Sequence, residues 1–388
     1  MNDLLTRAVA NVIPRALAEE KLKSGKKLRV YFGIDPTGGK IHLGHTIPMR
    51  KLQAFADAGH EAILIIGSFT AMIGDPSDRE SLRCPLTREQ VEENFRTYQK
   101  QAKKVLDFGK IEVRYNHEWL EKLTYAEILK HASLFTVQQM GERAMFAERM
   151  SREKPVSVHE FLYPLMVGFD SVVLDVDCEL GGTDQEFNML CGRTMQKALK
   201  RREKFVLTTH LIPGLDGRKM SKTYDNCVYL SDAPADMYGK LMSLSDALIP
   251  LYLECCTDVP LQEVEKAKKD LKDKTVNPKA LKMHLACEIV TLYHGKDAAK
   301  SAEAEFEKVF KGRGVPDEVP ELKVPKGTLL VDALVKSGLA SSKSEARRLI
   351  EQGGVKMNEK TVKAVDAKVE EGIVKVGKRK FVRLVFTK

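Results

Sequence analysis

An apolar run in the first quarter of the chain constrains the fold more than any other feature of the sequence. Residues 61–67 (EAILIIG) are typical of a strand that is buried on both faces of a parallel sheet. Residues 28–34 (LRVYFGI) predict a second strand, and residues 46–59 between them predict a helix that Gly59 ends. A strand, a helix and a strand in this order form one βαβ unit, so we expect an α/β fold with a parallel sheet.

The later segments continue this alternation. Residues 87–108 predict an amphipathic helix, and residues 111–116 predict a strand. Residues 124–140 and 142–150 look helical, and residues 170–190 (DSVVLDVDCELGGTDQEFNML) resume the order of strand, loop and helix. After Asn226 the chain is predominantly helical.

The length of 388 residues allows two or three domains. We expect a Rossmann-like domain over residues 1–223 with a helical insertion at about 84–154, and an all-α domain over 224–311. A Pro- and Gly-containing linker at 312–326 then leads to a small basic α/β module at 327–388.

Positive charge is concentrated in the C-terminal module. The chain carries a formal charge of +9, and residues 325–388 contain 15 Lys and Arg against 7 Asp and Glu, a net charge of +8. This balance indicates a polyanionic partner. Seven scattered cysteines without a C-x-x-C pair favour a reducing compartment, and no segment resembles a signal peptide or a membrane span. We therefore expect a soluble, cytoplasmic protein.

The segment HLGH places His42 and His45 on either side of Gly44, directly before a helix-capable run. It allows three interpretations: a shared metal ion, two structural histidines, or a phosphate site. No acidic residue lies between the histidines, as one does in the H-E-x-x-H pattern of zinc peptidases. At a helix N-terminus, imidazoles and free N–H groups suit phosphate oxygens, and a glycine lets a flat base approach the backbone. The phosphate interpretation requires a second anion-binding element.

The segment LDGRKMSKTYDN supplies such an element. It places Lys219 and Lys222 three residues apart in a loop that also contains glycine and serine. A solvated basic loop is the ordinary interpretation of such a run. Two lysines on a loop could also close over a triphosphate and stabilise the charge of a leaving pyrophosphate.

Together the two segments carry a family resemblance. HLGH resembles the HIGH signature, and KMSKT the KMSKS signature, of class I aminoacyl-tRNA synthetases. The segments YFGIDPTGGKIHLGH, IGSFTAMIGDPS, YPLMVGFD and GGTDQEFN are similar to the bacterial tyrosyl members, and the similarity covers nearly the whole chain. The resemblance implies activation of L-tyrosine with ATP to tyrosyl-adenylate, then transfer to the 3′ end of tRNA(Tyr), with Mg²⁺ accompanying ATP. It also implies a twofold homodimer formed through the insertion at 84–154.

The same resemblance assigns site residues, and it implies no metal ligands from the protein. The catalytic residues would be Thr37, His42, His45, Lys219 and Lys222. ATP would be bound by Gly33, Gly44, Gly182, Asp184, Met220, Ser221 and Lys222. Tyrosine would be bound by Tyr31, Asp35, Asp75, Tyr163, Asp170 and Gln185, with Tyr31 and Asp170 on the phenolic hydroxyl. Without the resemblance, Tyr31 would be an ordinary strand aromatic, Asp75 a turn residue and Asp184 a helix N-cap.

The helical region over residues 224–311 resembles an anticodon-binding domain, and the C-terminal module resembles a small RNA-binding module first described in a ribosomal protein. Its amphipathic basic helix and the following strand carry Lys343, Arg347, Arg348 and Lys356. We expect these four side chains to contact backbone phosphates of tRNA, although a solvated helix face is the ordinary alternative.

One position departs from the family pattern. The family usually has glutamine where this chain has Val167, four residues after Tyr163 and three before Asp170. The change removes a hydrogen-bond partner expected near the substrate ammonium. Either Asp75, Tyr163 and water suffice, which leaves an ordinary tyrosine enzyme with weaker amino-acid binding, or the protein is a paralogue that activates a tyrosine-like amino acid for a non-translational acceptor. Intact HLGH and KMSKT segments argue against a third class, an RNA-binding protein without chemistry. Tyr31, Asp170 and the basic module disfavour a tryptophanyl enzyme.

The substitution Val167→Gln tests the first explanation. A hydrogen bond to a charged group contributes about 1.5–3 kcal/mol, so restoring the amide should lower the KM for tyrosine. The measurement is tyrosine-dependent exchange of pyrophosphate into ATP. An unchanged or raised KM would contradict the explanation.

Overall fold

The computed structural model describes residues 2–36, 39–74, 86–220, 224–311, 319–377 and 380–387. The chain divides into two compact units. The first comprises residues 1–233 and 240–295, and the second comprises residues 234–239 and 296–388. No helix in the described part of the chain combines the length and the apolar character needed to cross a membrane.

The first unit is built on a six-stranded sheet. Its strands are β1 (Val9–Ile13), β2 (Arg29–Ile34), β3 (Glu61–Ile66), β4 (Ile111–Tyr115), β5 (Cys178–Gly182) and β6 (Phe205–Thr209). The order across the sheet is β1-β6-β5-β2-β3-β4. All neighbours are parallel except the edge strand β1, which pairs antiparallel with β6. The predicted α/β class with a parallel sheet is confirmed, whereas β1 was not expected from the sequence.

Helices of the first unit cover this sheet or follow it along the chain. They are α1 (Arg15–Lys23), α2 (Leu43–Asp57), α3 (Thr70–Ile73), α4 (Arg88–Ala102), α5 (His117–Leu120), α6 (Tyr125–Ala132), α7 (Val137–Gly141), α8 (Ala144–Ser151), α9 (Val158–Leu174) and α10 (Glu186–Lys200). Four more follow as α11 (Pro234–Met242), α12 (Ile249–Cys256), α13 (Leu261–Lys272) and α14 (Pro278–His294), of which α11 begins in the second unit. The helical character expected after Asn226 is thus present.

Two local predictions need correction. The helix expected over residues 124–140 is two helices, because Thr136 starts α7 with a capping box in which it exchanges hydrogen bonds with Gln139. Residues 171–174, which we assigned to a strand–loop–helix segment, form the last turn of α9, and the strand β5 begins only at Cys178. These residues are helical because Val172 packs against Met195 of α10 and Leu174 packs against Tyr31 and Trp119.

Helices α9 and α10 approach each other closely because each has a glycine at the crossing. A β-carbon at Gly168 of α9 would lie 3.1 Å from the backbone nitrogen of Gly192 and 2.8 Å from the sulfur of Met195. Any larger residue at position 168 would therefore push the helices apart. This close crossing sets the position of the pocket-facing side of α9.

The second unit has its own sheet and its own core. Its elements are α15 (Lys296–Lys311), β7 (Glu321–Val324), α16 (Leu330–Lys336), α17 (Lys343–Glu351), β8 (Val355–Met357), β9 (Lys360–Thr361), β10 (Gly372–Val376) and β11 (Lys380–Phe386). The strand order is β7-β11-β10-β8-β9, and only β7 with β11 is parallel. Strand β7 lies inside the segment that we interpreted as a linker, because its backbone pairs with β11. The small α/β module expected at the C-terminus is present, with Leu330, Ile350 and Val374 in its core.

Candidate active site

A cavity of about 710 Å³ opens at the carboxyl ends of β2 and β5. The strand order reverses here, since the chain continues from β2 to β3 on one side and returns through β5 on the other. Open parallel sheets bind their ligands in the crevice at such a reversal. The predicted site residues that line this cavity are Tyr31, Gly33, Asp35, His42, Gly44, His45, Tyr163, Val167, Asp170, Gly182, Asp184, Gln185, Lys219 and Met220.

The remaining predicted site residues are not part of this cavity as described. Thr37, Asp75, Ser221 and Lys222 lie outside the described residues. Lys343, Arg347, Arg348 and Lys356 belong to the second unit, where all four are exposed.

His42 and His45 stand at the N-terminus of α2. Their rings are stacked with centroids 3.6 Å apart, and the backbone N–H of His42 donates to Nδ1 of His45 at 3.3 Å. The N–H of Leu43 donates to the carbonyl of Val228 at 3.0 Å, which fixes the start of the helix. A β-carbon at Gly44 would lie 3.1 Å from the His42 ring, so this position keeps the cavity wall open. Across the described ranges, no group of three His, Cys, Asp or Glu side chains is arranged to hold a metal ion.

Asp35 is held in place where β2 ends. Its carboxylate accepts hydrogen bonds from the hydroxyl of Thr70 at 2.7 Å and from the hydroxyl of Tyr163 at 2.8 Å. A β-carbon at Gly67 would lie 1.7 Å from the same carboxylate, so only glycine leaves it room. The structure therefore joins Asp35 and Tyr163, which are 128 residues apart, on one side of the cavity.

Asp170 is buried at another wall of the cavity. Its carboxylate accepts hydrogen bonds from the indole N–H of Trp119 at 2.8 Å and from the amide of Asn116 at 3.4 Å. Burial raises the pKa of Asp170 well above its usual value, although these two donors oppose the shift. Both donors follow β4, and sequence reasoning did not identify them. The signal was polar residues directly after a predicted strand in RYNHEW, at the edge where site residues gather.

Tyr31 reaches the same region from β2, and its side chain is buried. Its hydroxyl lies 2.9 Å from the hydroxyl of Ser171. Burial, with the nearby carboxylates of Glu179 and Asp170, raises the pKa of the Tyr31 phenol well above its usual value. The uncharged hydroxyl group of Tyr31 and the carboxyl group of Asp170 thus line the same cavity.

The part of the cavity rim that Asp184 and Lys219 form is more open to solvent than the walls at Tyr31 and Asp170. Asp184 and Lys219 are exposed, and Gln185 accepts a hydrogen bond from the amide of Asn188 at 2.8 Å. Ahead of Lys219, hydrogen bonds from Asn226 and Arg218 lower the pKa of Asp216 to about 2. These bonds fix the base of the loop that carries Lys219 and Met220.

Val167 lines the cavity from α9 as a half-buried apolar residue. Its side chain has no hydrogen-bonding group. The predicted departure from the family pattern is therefore located in the cavity wall itself.

Comparisons with known proteins agree with this geometry. Residues 23–311 match the family described as tRNA synthetases class I (W and Y), and residues 329–377 match the S4 domain. A tyrosine–tRNA ligase of Thermotoga maritima is 45% identical over 98% of this chain and 96% of its own length. A tyrosine–tRNA ligase of Carboxydothermus hydrogenoformans is 44% identical over 100% of this chain and 98% of its own length.

Solved structures extend the comparison to the fold. A tyrosyl-tRNA synthetase from Archaeoglobus fulgidus, crystallised with L-tyrosine, has a TM-score of 0.63 at 22% identity and covers 78% of this chain and 98% of that chain. A C-terminally truncated mitochondrial tyrosyl-tRNA synthetase from Aspergillus nidulans has a TM-score of 0.65 at 22% identity, over 78% of this chain and 91% of that one. At this identity the likeness shows the fold alone. Because the family match spans most of the chain and the relatives align end to end, the chain belongs to the class I tRNA synthetases of the tryptophan and tyrosine group.

Proposed function

We propose that this protein is a tyrosine–tRNA ligase, which activates L-tyrosine with ATP and transfers the tyrosyl group to tRNA(Tyr). The observation that carries the proposal is the single cavity at the sheet reversal. Tyr31 and Asp170 line one part of it, and the HLGH helix N-terminus lines another. The full-length identity to tyrosine–tRNA ligases supports the same conclusion.

The amino-acid end of the cavity suits a phenol. A substrate ring placed between Tyr31 and Asp170 can exchange hydrogen bonds with both groups, whereas phenylalanine would leave these buried polar groups unpaired. Asp35 and Tyr163, joined by their hydrogen bond, supply negative charge and a hydroxyl for the ammonium of the substrate. Asp75, outside the described residues, is assigned to the ammonium by resemblance, and Gln185 to the carboxylate side. Retention of Tyr31 and Asp170 disfavours the paralogue alternative that Val167 raised.

The nucleotide end suits a polyphosphate. His42 and His45 with the N-terminus of α2 offer hydrogen-bond donors and positive potential, and Lys219 adds an exposed positive charge at the rim. Met220, Gly33 and Gly44 would border the adenosine, and Gly182 with Asp184 would hold the ribose. Thr37, Ser221 and Lys222 keep the roles that the resemblance gives them.

The reaction then depends on position and charge. The tyrosine carboxylate attacks the α-phosphorus of ATP, pyrophosphate leaves, and the histidines and lysines stabilise the charge that develops on the phosphate oxygens. Mg²⁺ usually takes most of its ligands from phosphates and water. It would therefore enter with ATP rather than through a dedicated protein site, and no step of the proposal depends on a protein-held metal.

Exposed apolar side chains of the helical insertion and of the start of α9 favour a homodimer. They belong to α6, α7, α8 and the start of α9, and comprise Tyr125, Leu129, Val137, Met150 and Val158. Tyr125, Val137 and Val158 are more than 70% exposed, which is unusual for such residues unless a partner covers them. We therefore propose that a second copy packs on this face, and that the protein acts in the cytoplasm.

The substitution Asp170→Asn tests the proposed substrate. The wild type should exchange pyrophosphate into ATP more efficiently with tyrosine than with phenylalanine, tryptophan, 3-substituted tyrosines or β-tyrosine. Loss of a hydrogen bond to a charged group should lower kcat/KM for tyrosine by about 10- to 100-fold in the variant. Asp246→Asn, which changes a half-exposed carboxylate paired with Lys282, is the control. Strongest exchange with another amino acid would contradict the proposal.

The paired substitutions Arg347→Gln and Arg348→Gln test the tRNA contact. They should raise the KM for tRNA and leave exchange without RNA unchanged. The salt dependence of tRNA binding should become shallower, because each lost phosphate contact removes about 0.7–0.9 from the slope of log K against log salt. Lys26→Gln with Lys27→Gln, two exposed changes between α1 and β2, serve as the control. Equal slopes for both pairs would count against the contact.

The substitution Val137→Asp tests the dimer face. A carboxylate on an apolar interface loses its hydration without a partner, so the variant should sediment as a monomer where the wild type sediments as a dimer. Gln262→Asp, on the exposed surface of α13 and outside this face, controls for charge alone. A wild-type monomer would refute this part of the proposal.

A further inference from the structure

Lys204 is a fully buried lysine directly before β6. Its ammonium forms an ion pair with the carboxylate of Glu179 and donates a hydrogen bond to the hydroxyl of Ser171 at 2.5 Å. Burial lowers the pKa of Lys204, and the Glu179 carboxylate opposes that shift. A buried ion pair contributes little net stability, because desolvation of both charges offsets their attraction. Its presence beside the cavity therefore indicates a positional role.

Helix α10 leaves room for this pair through Gly192. A β-carbon at that position would lie 2.7 Å from the ammonium of Lys204 and 2.8 Å from the hydroxyl of Ser171. A glycine inside a helix is unfavourable compared with alanine. Helix α10 thus has a glycine at the position where the side chains of Lys204 and Ser171 need space.

Lys204, Glu179 and Ser171 form a hydrogen-bond network that ends at Tyr31. The hydroxyl oxygen of Ser171 lies 2.9 Å from the Tyr31 hydroxyl and 3.1 Å from the Glu179 carboxylate. A lysine ammonium can only donate and a carboxylate can only accept, so Lys204 and Glu179 restrict the hydrogen bonds that the Ser171 hydroxyl can make. Either hydroxyl can be the donor between Ser171 and Tyr31. The buried ion pair therefore holds the Tyr31 hydroxyl through Ser171.

We infer that Lys204 is a positioning residue for the choice of tyrosine. Together with Glu179 and Ser171, it fixes the orientation of the Tyr31 hydroxyl toward the phenolic hydroxyl of the substrate. This inference rests on the proposed function. Without the ammonium, Ser171 and Glu179 lose a shared partner and the Tyr31 hydroxyl is held less firmly, so the site accepts a ring without a hydroxyl with a smaller penalty.

The test is the substitution Lys204→Met in the full-length protein, assayed by ATP–pyrophosphate exchange without RNA. We expect the KM for tyrosine to rise about tenfold with a much smaller change in kcat. The kcat/KM for phenylalanine should stay the same or rise. The ratio of the two kcat/KM values should therefore fall about tenfold.

Lys21→Met is the matched control. Lys21 also pairs with a carboxylate beside β5, that of Asp177 at 2.6 Å, but no described hydrogen bond connects it to Ser171 or Tyr31. In this variant, the ratio of kcat/KM for tyrosine to kcat/KM for phenylalanine should equal that of the wild type. A ratio that falls equally in both variants would overturn the inference, since general loosening of the unit would then explain it.

Two further variants keep the test decisive if Lys204→Met does not fold. Lys204→Met with Glu179→Gln removes the unpaired charge, and Ser171→Ala breaks the connection to Tyr31 while the ion pair stays. Each should lower the ratio about tenfold. A ratio within about twofold of the wild type in a folded variant would overturn the inference. A wild type without tyrosine-dependent exchange would instead overturn the proposed function, which makes the two failures distinguishable.

Discussion

The parallel pairing of β2 on both sides is the interaction on which the rest of the first unit depends. Its backbone bonds to β3 along six residues and to β5 along three. Because both edges of β2 are paired, its side chains face only the helices that cover the sheet. At its carboxyl end they face the space between the connections that lead to β3 on one side and to β5 on the other. Tyr31, Gly33 and Asp35 occupy that end. The site is therefore a consequence of sheet topology before any side chain contributes chemistry.

Local patterns were sufficient for much of this arrangement. The apolar run at 61–67 became β3, and the helix after HLGH became α2, because a doubly buried strand and an amphipathic helix each leave a periodic signature. The same reasoning was wrong at residues 171–174. The apolar run of only three residues at 172–174 fits a strand or a helix equally well, and only tertiary packing decides between them.

The residues of the site also divide into those that a local sequence pattern predicts and those that only the fold brings together. HLGH and KMSKT are contiguous motifs, so the sequence contained them whole. The partners of Asp170 and Tyr31 are not contiguous, since Trp119 and Asn116 lie more than 50 residues before Asp170, and Lys204 lies 33 residues after Ser171. Each of these contacts exists only because two strand ends and one helix meet. Physical reading of a single sequence cannot supply that meeting without the fold.

The separate core of the second unit has a consequence for how this protein loses activity. Val324, Leu330, Ile350 and their neighbours are all contributed by residues beyond 320, and none lines the cavity. Melting of that core removes the basic helix α17 as an ordered surface without breaking a hydrogen bond of the cavity. Thermal unfolding of this protein therefore has two distinguishable effects on its activity. Loss of adenylate formation reports on the first unit, and loss of RNA-dependent turnover alone reports on the second.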